Sequence, residues 1–140
     1  MSVTINTTVE RKINGVWKSV DIALDNVRSY ALAEIVEECS LTVEKDDKNT
    51  TATNKKFGVT YDSLSDKVKE DAFVNCDRVS VLLKNDFDFA IIKIDDRIEE
   101  EKEEFGDIDS DNIRDLEMFR KVIEEAKRLT GELRLVIWFD

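Results

Sequence analysis

Carboxylates are the groups of this sequence that are best placed to do chemistry. Four aspartates fall at positions 1, 3, 5 and 9 of a calcium-binding loop: Asp107, Asp109, Asp111 and Asp115. Position 6 is Asn112, where the sharp turn of such a loop needs glycine, and position 12 is Met118, where a bidentate glutamate closes the shell. We therefore predict no metal site, because helix capping and acids that complement a helix dipole explain the same spacing.

An enzymatic interpretation has few other residues to use. The chain has no histidine and only two cysteines, so Cys/His zinc sites and histidine-activated nucleophiles are excluded. GxGxxG and GxxxxGK[ST] are both absent from the sequence, so no nucleotide cofactor is predicted. One alternative remains open: a metal-dependent hydrolase with carboxylates Asp86, Asp88, Asp95 and Asp96 and a lysine such as Lys84 or Lys93. We predict that the protein is not an enzyme.

The acidic segment, residues 95–117, dominates the charge. It holds twelve acids and three bases, a net charge of −9, whereas the other 117 residues carry only −2. A block of like charge of this kind either is solvated or meets a basic partner. An ordinary solvated helix face is the plain interpretation. The functional interpretation is a nucleic-acid-mimicking contact surface formed by Glu99, Glu100, Glu101, Glu103, Glu104, Asp107, Asp109 and Asp111.

A small-ligand interpretation is the second possibility. Arginine or lysine beside an aromatic plane suits recognition of a phosphate and a base. The candidates are Arg11, Lys12, Arg28, Lys55, Lys56 and Arg78, with Trp17 or Tyr30 as the aromatic plane.

The first half of the chain predicts a hairpin, a helix and a loop. Asn14-Gly15 suits a type I′ turn, and this turn places Ile13 opposite Val16 and Val9 opposite Val20. Asp25 can cap a helix that runs to about Cys39. Residues 42–56 lose all periodicity, which predicts a mobile loop.

The second half alternates between strand and helix patterns. Ser63 is expected to cap a short helix over 63–75. Residues 78–83 and 87–94 predict a second hairpin, with a helix over 81–90 as the alternative. Helices are predicted over 96–105, ended by Gly106, and from Ser110 or Asp109 to about Leu129, and a strand over 132–139.

Together these elements predict a single α+β domain over residues 1–140. Its antiparallel sheet has about five strands, with helices packed on one face. The apolar runs are too short to cross a bilayer, and no signal peptide is visible at the start of the sequence, so we expect a cytoplasmic protein without a membrane partner.

Four stretches carry a resemblance to a known group. They are ERKINGVW at 10–17, VRSYAL at 27–32, LSDKVK at 64–69 and RLVIWFD at 134–140. Their order resembles small, uncharacterised bacteriophage proteins with an ERKxxGxW hairpin, an RxYxL helix and a terminal RxVxWFD strand. The resemblance implies a phage or prophage accessory protein that acts inside a host bacterial cell.

The charge and the resemblance together predict a non-catalytic binding protein. It would inhibit a host protein with a basic surface, such as a nucleic-acid-handling or defence enzyme, as an anti-CRISPR-like inhibitor does. Direct binding of nucleic acid by the acidic segment is not expected, because both carry negative charge.

Overall fold

The computed structural model describes residues 5–20, 30–45, 50–74, 76–106 and 111–139. The strands are β1 (Ile5–Ile13), β2 (Val16–Val20), β3 (Leu41–Glu44), β4 (Arg78–Leu83) and β5 (Leu133–Phe139). The helices are α1 (Tyr30–Cys39), α2 (Ala52–Lys56), α3 (Asp66–Asp71), α4 (Phe87–Phe105) and α5 (Asp111–Arg128). The α+β fold class is therefore confirmed.

The five strands form one antiparallel sheet in the order β2-β1-β5-β4-β3. β5 lies at its centre, as its apolar residues on both faces predict. Leu135 and Ile137 belong to the core on one face, and Val136 and Trp138 to the core on the other. Both faces of the sheet are consequently covered.

The hairpin between β1 and β2 has the predicted turn and register. Asn14 and Gly15 adopt φ angles of 51° and 80°, which a type I′ turn requires. Ile13 lies opposite Val16, and Val9 opposite Val20. The turn chemistry therefore fixes which side chains of β1 and β2 share a face.

Three long helices, α1, α4 and α5, pack on one face of the sheet. Phe87 and Ile94 of α4 and Phe119 of α5 are buried in this core, and each side chain contributes about 1.5–3 kcal/mol. α4 and α5 run antiparallel, because Asp88 pairs with Lys127 near one end and Asp95 pairs with Arg120 closer to the other. The described helical residues of the acidic segment thus lie in two antiparallel helices, in the second half of α4 and the first turns of α5.

The other face of the sheet is covered by residues 58–74 with the short helix α3. Val59, Leu64 and Val68 are buried here against Val136 and Trp138 of β5. The N-cap of α3 is Ser65, whose side chain accepts from the Val68 N–H at 3.4 Å. Ser63, the expected cap, instead closes a turn with Thr60.

Two other local predictions were wrong. The sequence predicts a mobile loop over residues 42–56, but these residues include most of β3 and all of α2. β3 forms because it pairs with β4, and α2 is capped by the Thr51 hydroxyl. Residues 87–94 were expected to form the second strand of a hairpin, but they are the first two turns of α4. The predicted start of the first helix at Asp25 and the caps Asp109 and Ser110 lie outside the described residues.

Candidate functional site

The acidic side of α4 points away from the core. Five exposed carboxylates share it: Asp96, Glu99, Glu100, Glu103 and Glu104. At 3.6 residues per turn they span an arc of about 140° that is opposite the buried Ile94 and Ile98. The sequence forms a helix here because Ile91, Ile94 and Ile98 give it one apolar stripe. The acids are left on the surface that faces solvent.

Helix α1 carries three exposed glutamates. Glu34, Glu37 and Glu38 are all exposed, and Glu34 accepts from Arg97 of α4 at 2.8 Å. This ion pair joins the two helices and places Glu34 next to the acids of α4, whereas Glu37 lines a hollow with Arg78 of β4. We call the five α4 carboxylates together with Glu34 and Glu38 the acidic face.

Glu101 does not belong to this surface, although the sequence placed it in the contact set. It is only 5% exposed, and its carboxylate accepts from Arg97 Nε at 3.2 Å and from Asn112 Nδ2 of α5 at 3.5 Å. Its position in the structure is therefore a link between α4 and α5. Asp111 is exposed and lies 3.6 Å from Arg114, and Asp107 and Asp109 lie outside the described residues.

The acidic face is weakly neutralised. Among the described residues, no lysine or arginine forms an ion pair with Glu99, Glu100, Glu103 or Glu104. Glu99 and Glu103 are an i,i+4 pair of like charge, as are Glu100 and Glu104, and such pairs destabilise a helix. These acids also occupy the last turns of α4, where the helix dipole favours cations. These four glutamates therefore reduce the stability of α4.

A second polar centre lies on the opposite face of the sheet. Glu10 of β1 and Arg134 of β5 are cross-strand neighbours, both fully buried, with Nε and Oε1 2.6 Å apart. The Ser65 N–H donates to the other Glu10 oxygen at 2.6 Å, and Arg134 Nη2 donates to the Ser63 carbonyl at 3.0 Å. Burial lowers the pKa of Arg134, and the Glu10 carboxylate opposes that shift. The pair fastens residues 58–65 to the sheet.

A cavity of about 620 Å³ lies beside this ion pair, and we call it the Trp17 cleft. Its walls are Lys12 and Gly15–Ser19 of the hairpin, and Gly58, Asp62–Lys67 and Lys69 of the covering segment. The Trp17 ring stacks on Arg134, with the guanidinium carbon 4.1 Å from the ring centroid, and Lys12 Nζ lies 5.8 Å from the same ring. Sequence reasoning named Lys12 and Trp17 of this site but missed Arg134 and the wall formed by residues 58–69, although a single arginine within an apolar strand was a signal for Arg134.

The other candidate residues do not gather into one site. Of the proposed ligand-binding set, Lys12 and Trp17 share the Trp17 cleft, whereas Arg78 lines a different hollow, and Lys55 and Lys56 belong to α2. Arg11 is half-buried near Gly131 and Tyr30 is exposed on α1, while Arg28 lies outside the described residues.

The carboxylates of the enzymatic alternative are spread along one helix. Asp88 pairs with Lys127, and Asp95 pairs with Arg120. Within the described part of the chain, no three acidic or cysteine side chains are grouped so that they could hold a metal ion. Burial raises the pKa of the Cys39 thiol to about 11, so this thiol is protonated near neutral pH.

In the described ranges, none of the helices combines the length and the apolar character needed to cross a membrane. Comparison of the chain with protein-family models, with curated proteins and with solved structures found no match.

Proposed function

We propose that the protein is a non-catalytic binding protein whose acidic face occupies a basic surface of another protein. One observation carries this proposal: four neighbouring glutamates of α4 point directly away from the core without an ion-pair partner among the described residues. Their placement opposes both the helix dipole and the rule against like charges at i,i+4. Local conflicts of this kind are typical of functional surfaces.

The partner would have a surface that otherwise holds nucleic acid. Asp96 to Glu104 rises about 12 Å along α4 and presents five carboxylates, about one per 3 Å. A single nucleic-acid strand carries one charge per roughly 3.4 Å, and a duplex one per roughly 1.7 Å. The spacing on α4 therefore approaches that of one strand, and α1 adds a second row of acids. The resemblance to phage proteins favours a host protein as the target, such as a nucleic-acid-guided defence enzyme that an anti-CRISPR protein blocks.

The test compares two variants of equal charge. The first carries Glu→Gln changes at Glu99, Glu100, Glu103 and Glu104. The control removes four exposed acids elsewhere through Glu44→Gln, Glu70→Gln, Asp71→Asn and Asp77→Asn. Each tagged protein is used to capture partners from nuclease-treated bacterial lysate at low salt and at roughly 0.5 M salt, where the Debye length is about 4 Å.

The proposal expects one stoichiometric basic partner for the parent and for the control variant. The α4 variant should not capture it, and high salt should release it. Added single-stranded or duplex DNA should also release it, because it would compete for the same basic surface. Equal capture by the two variants, or a partner that added DNA does not displace, would contradict a nucleic-acid-mimicking surface.

A further inference from the structure

We propose that the Trp17 cleft binds a small anionic ligand with a planar ring, and that its chemical class is a nucleoside phosphate. This site is distinct from the acidic face and does not depend on the function proposed for it. The cleft and the acidic face lie on opposite sides of the sheet: the first is formed by β1, β2 and residues 58–69, the second by α1 and α4.

The charge of the cleft is opposite to that of the whole chain. Four lysines line it, Lys12, Lys18, Lys67 and Lys69, against two aspartates, Asp62 and Asp66. The chain as a whole carries −11. A local excess of lysine on a strongly acidic protein favours an anionic ligand at this position.

The aromatic wall suits a planar ring. Trp17 lines the cavity, whereas Arg134 is fully buried behind it. The Arg134 guanidinium stacks on the Trp17 indole, with its central carbon 4.1 Å from the ring centroid. Arg134 is itself held by Glu10 and by the Ser63 carbonyl, so the indole rests on a fixed support. A base that stacks on Trp17 would bind more tightly than a ligand without a ring, as bases do on aromatic side chains.

Size and polarity agree with this class of ligand. A volume of about 620 Å³ lies within the range of small-molecule sites, about 300–1,000 Å³. Lys12 Nζ is 5.8 Å from the Trp17 centroid, so a ring on Trp17 would have an ammonium group within reach of its phosphate.

The acidic face does not prevent anion binding at physiological salt. The helix layer, about 10 Å thick, and the sheet separate the two surfaces by on the order of 20 Å. The Debye length at 0.15 M salt is about 8 Å, so repulsion from the acidic face is largely screened at the cleft.

The test is titration of the full chain with AMP, GMP and UMP, followed by calorimetry and by tryptophan fluorescence, with Trp17→Phe separating the signal of Trp17 from that of Trp138. Adenosine and inorganic phosphate serve as half-ligands. Lys18→Gln with Lys67→Gln removes two charges from the cleft, and Lys45→Gln with Lys121→Gln removes two exposed charges elsewhere. Trp17→Phe keeps a ring on Arg134 but offers a smaller one to the ligand.

We expect at least one nucleotide to bind about tenfold more tightly than either half-ligand and to quench Trp17. The cleft variant should lose about tenfold or more in affinity and the control variant none, and thermal melting must show that both variants are folded at the temperature of the titration. Three results would each overturn the proposal: no heat or quenching up to about 1 mM nucleotide, no nucleotide that binds more tightly than inorganic phosphate, or equal affinity of the two lysine variants. Tighter binding of an oligonucleotide than of any mononucleotide would overturn it in favour of a single-stranded nucleic acid.

Discussion

Glu10 and Arg134 are 124 residues apart in sequence, yet they form a 2.6 Å ion pair in which neither side chain is exposed. Their carboxylate and guanidinium also bind the backbone of residues 58–65, through the Ser65 N–H and the Ser63 carbonyl. One ion pair thus connects the first strand, the last strand and the segment that covers them.

Arg134→Met should destabilise the fold strongly. The change leaves the Glu10 carboxylate buried without its cation, which costs about 3–5 kcal/mol of unfolding free energy. For a chain of this size the melting temperature should fall by roughly 10 °C or more. The double variant Glu10→Gln with Arg134→Met should recover part of the loss, because no uncompensated charge is then buried. Urea unfolding of Glu10→Gln, Arg134→Met and the double variant measures the interaction energy between the two side chains. If the losses of the two single variants simply added up in the double variant, the two side chains would not be coupled.

Replacing the four glutamates of α4 should stabilise the helix that carries them. The variant with glutamine at Glu99, Glu100, Glu103 and Glu104 removes four like-charge i,i+4 pairs, two among these glutamates and two with Asp95 and Asp96, and relieves the helix C-terminus. We expect a gain of about 0.5–1 kcal/mol at low salt, and a smaller gain at high salt, in thermal unfolding. A loss of stability would mean that these carboxylates hold the fold together rather than serve a surface.

Glu101 should behave in the opposite way. Glu101→Ala removes the acceptor for Arg97 and Asn112 between α4 and α5, and should destabilise the protein by about 1–3 kcal/mol. Glu100→Ala, one residue earlier on the exposed side, is the matched control and should have little effect. The comparison of the two melting curves separates the structural acid from the exposed one, and equal curves would place Glu101 at the surface.

Cys39 should be a slow nucleophile. The pKa of its thiol is raised to about 11. Burial is the larger cause, and the negative charge of the nearby Glu38 is the second. Alkylation of Cys39 by iodoacetamide at pH 8 should be slower than that of free cysteine, and its rate should rise as the pH approaches about 11.

The same shift links the Cys39 thiol to stability. Because the folded-state pKa lies above that of an ordinary thiol, the contribution of Cys39 is fully present below about pH 8.5 and is lost as the pH rises through about 11. Cys39→Ala should remove this part of the pH dependence, and the difference between the parent and variant curves isolates it. Parallel curves across that range would contradict the raised pKa.

Much of the fold could be predicted because its signals are local. Asn14-Gly15 determines a turn type and hence a register, and the apolar positions from Ile113 to Ala126 repeat at helical spacing. β5 was recognised as central because its apolar residues occupy both faces. Each of these signals lies within a few residues of the element that it specifies.

The structural features that the sequence did not predict have a common physical cause. The run from Phe87 to Ile94 has apolar residues on both parities, so only packing against α1 and α5 selects a helix. β3 is four residues long and exists because β4 pairs with it. The Glu10–Arg134 pair joins strands that are far apart in sequence, and the Trp17 cleft forms between the N-terminal hairpin and residues 58–69, so no local pattern reveals either of them.

The arrangement of layers gives the protein an electrical polarity. The exposed acids of α4 lie on one outer surface and the lysines of the Trp17 cleft on the other, so the two surfaces differ in local charge. In the field of a positively charged body it would turn before contact so that α4 leads. The opening of the cleft would then face the solvent, where small solutes could still enter and leave while the opposite side is covered.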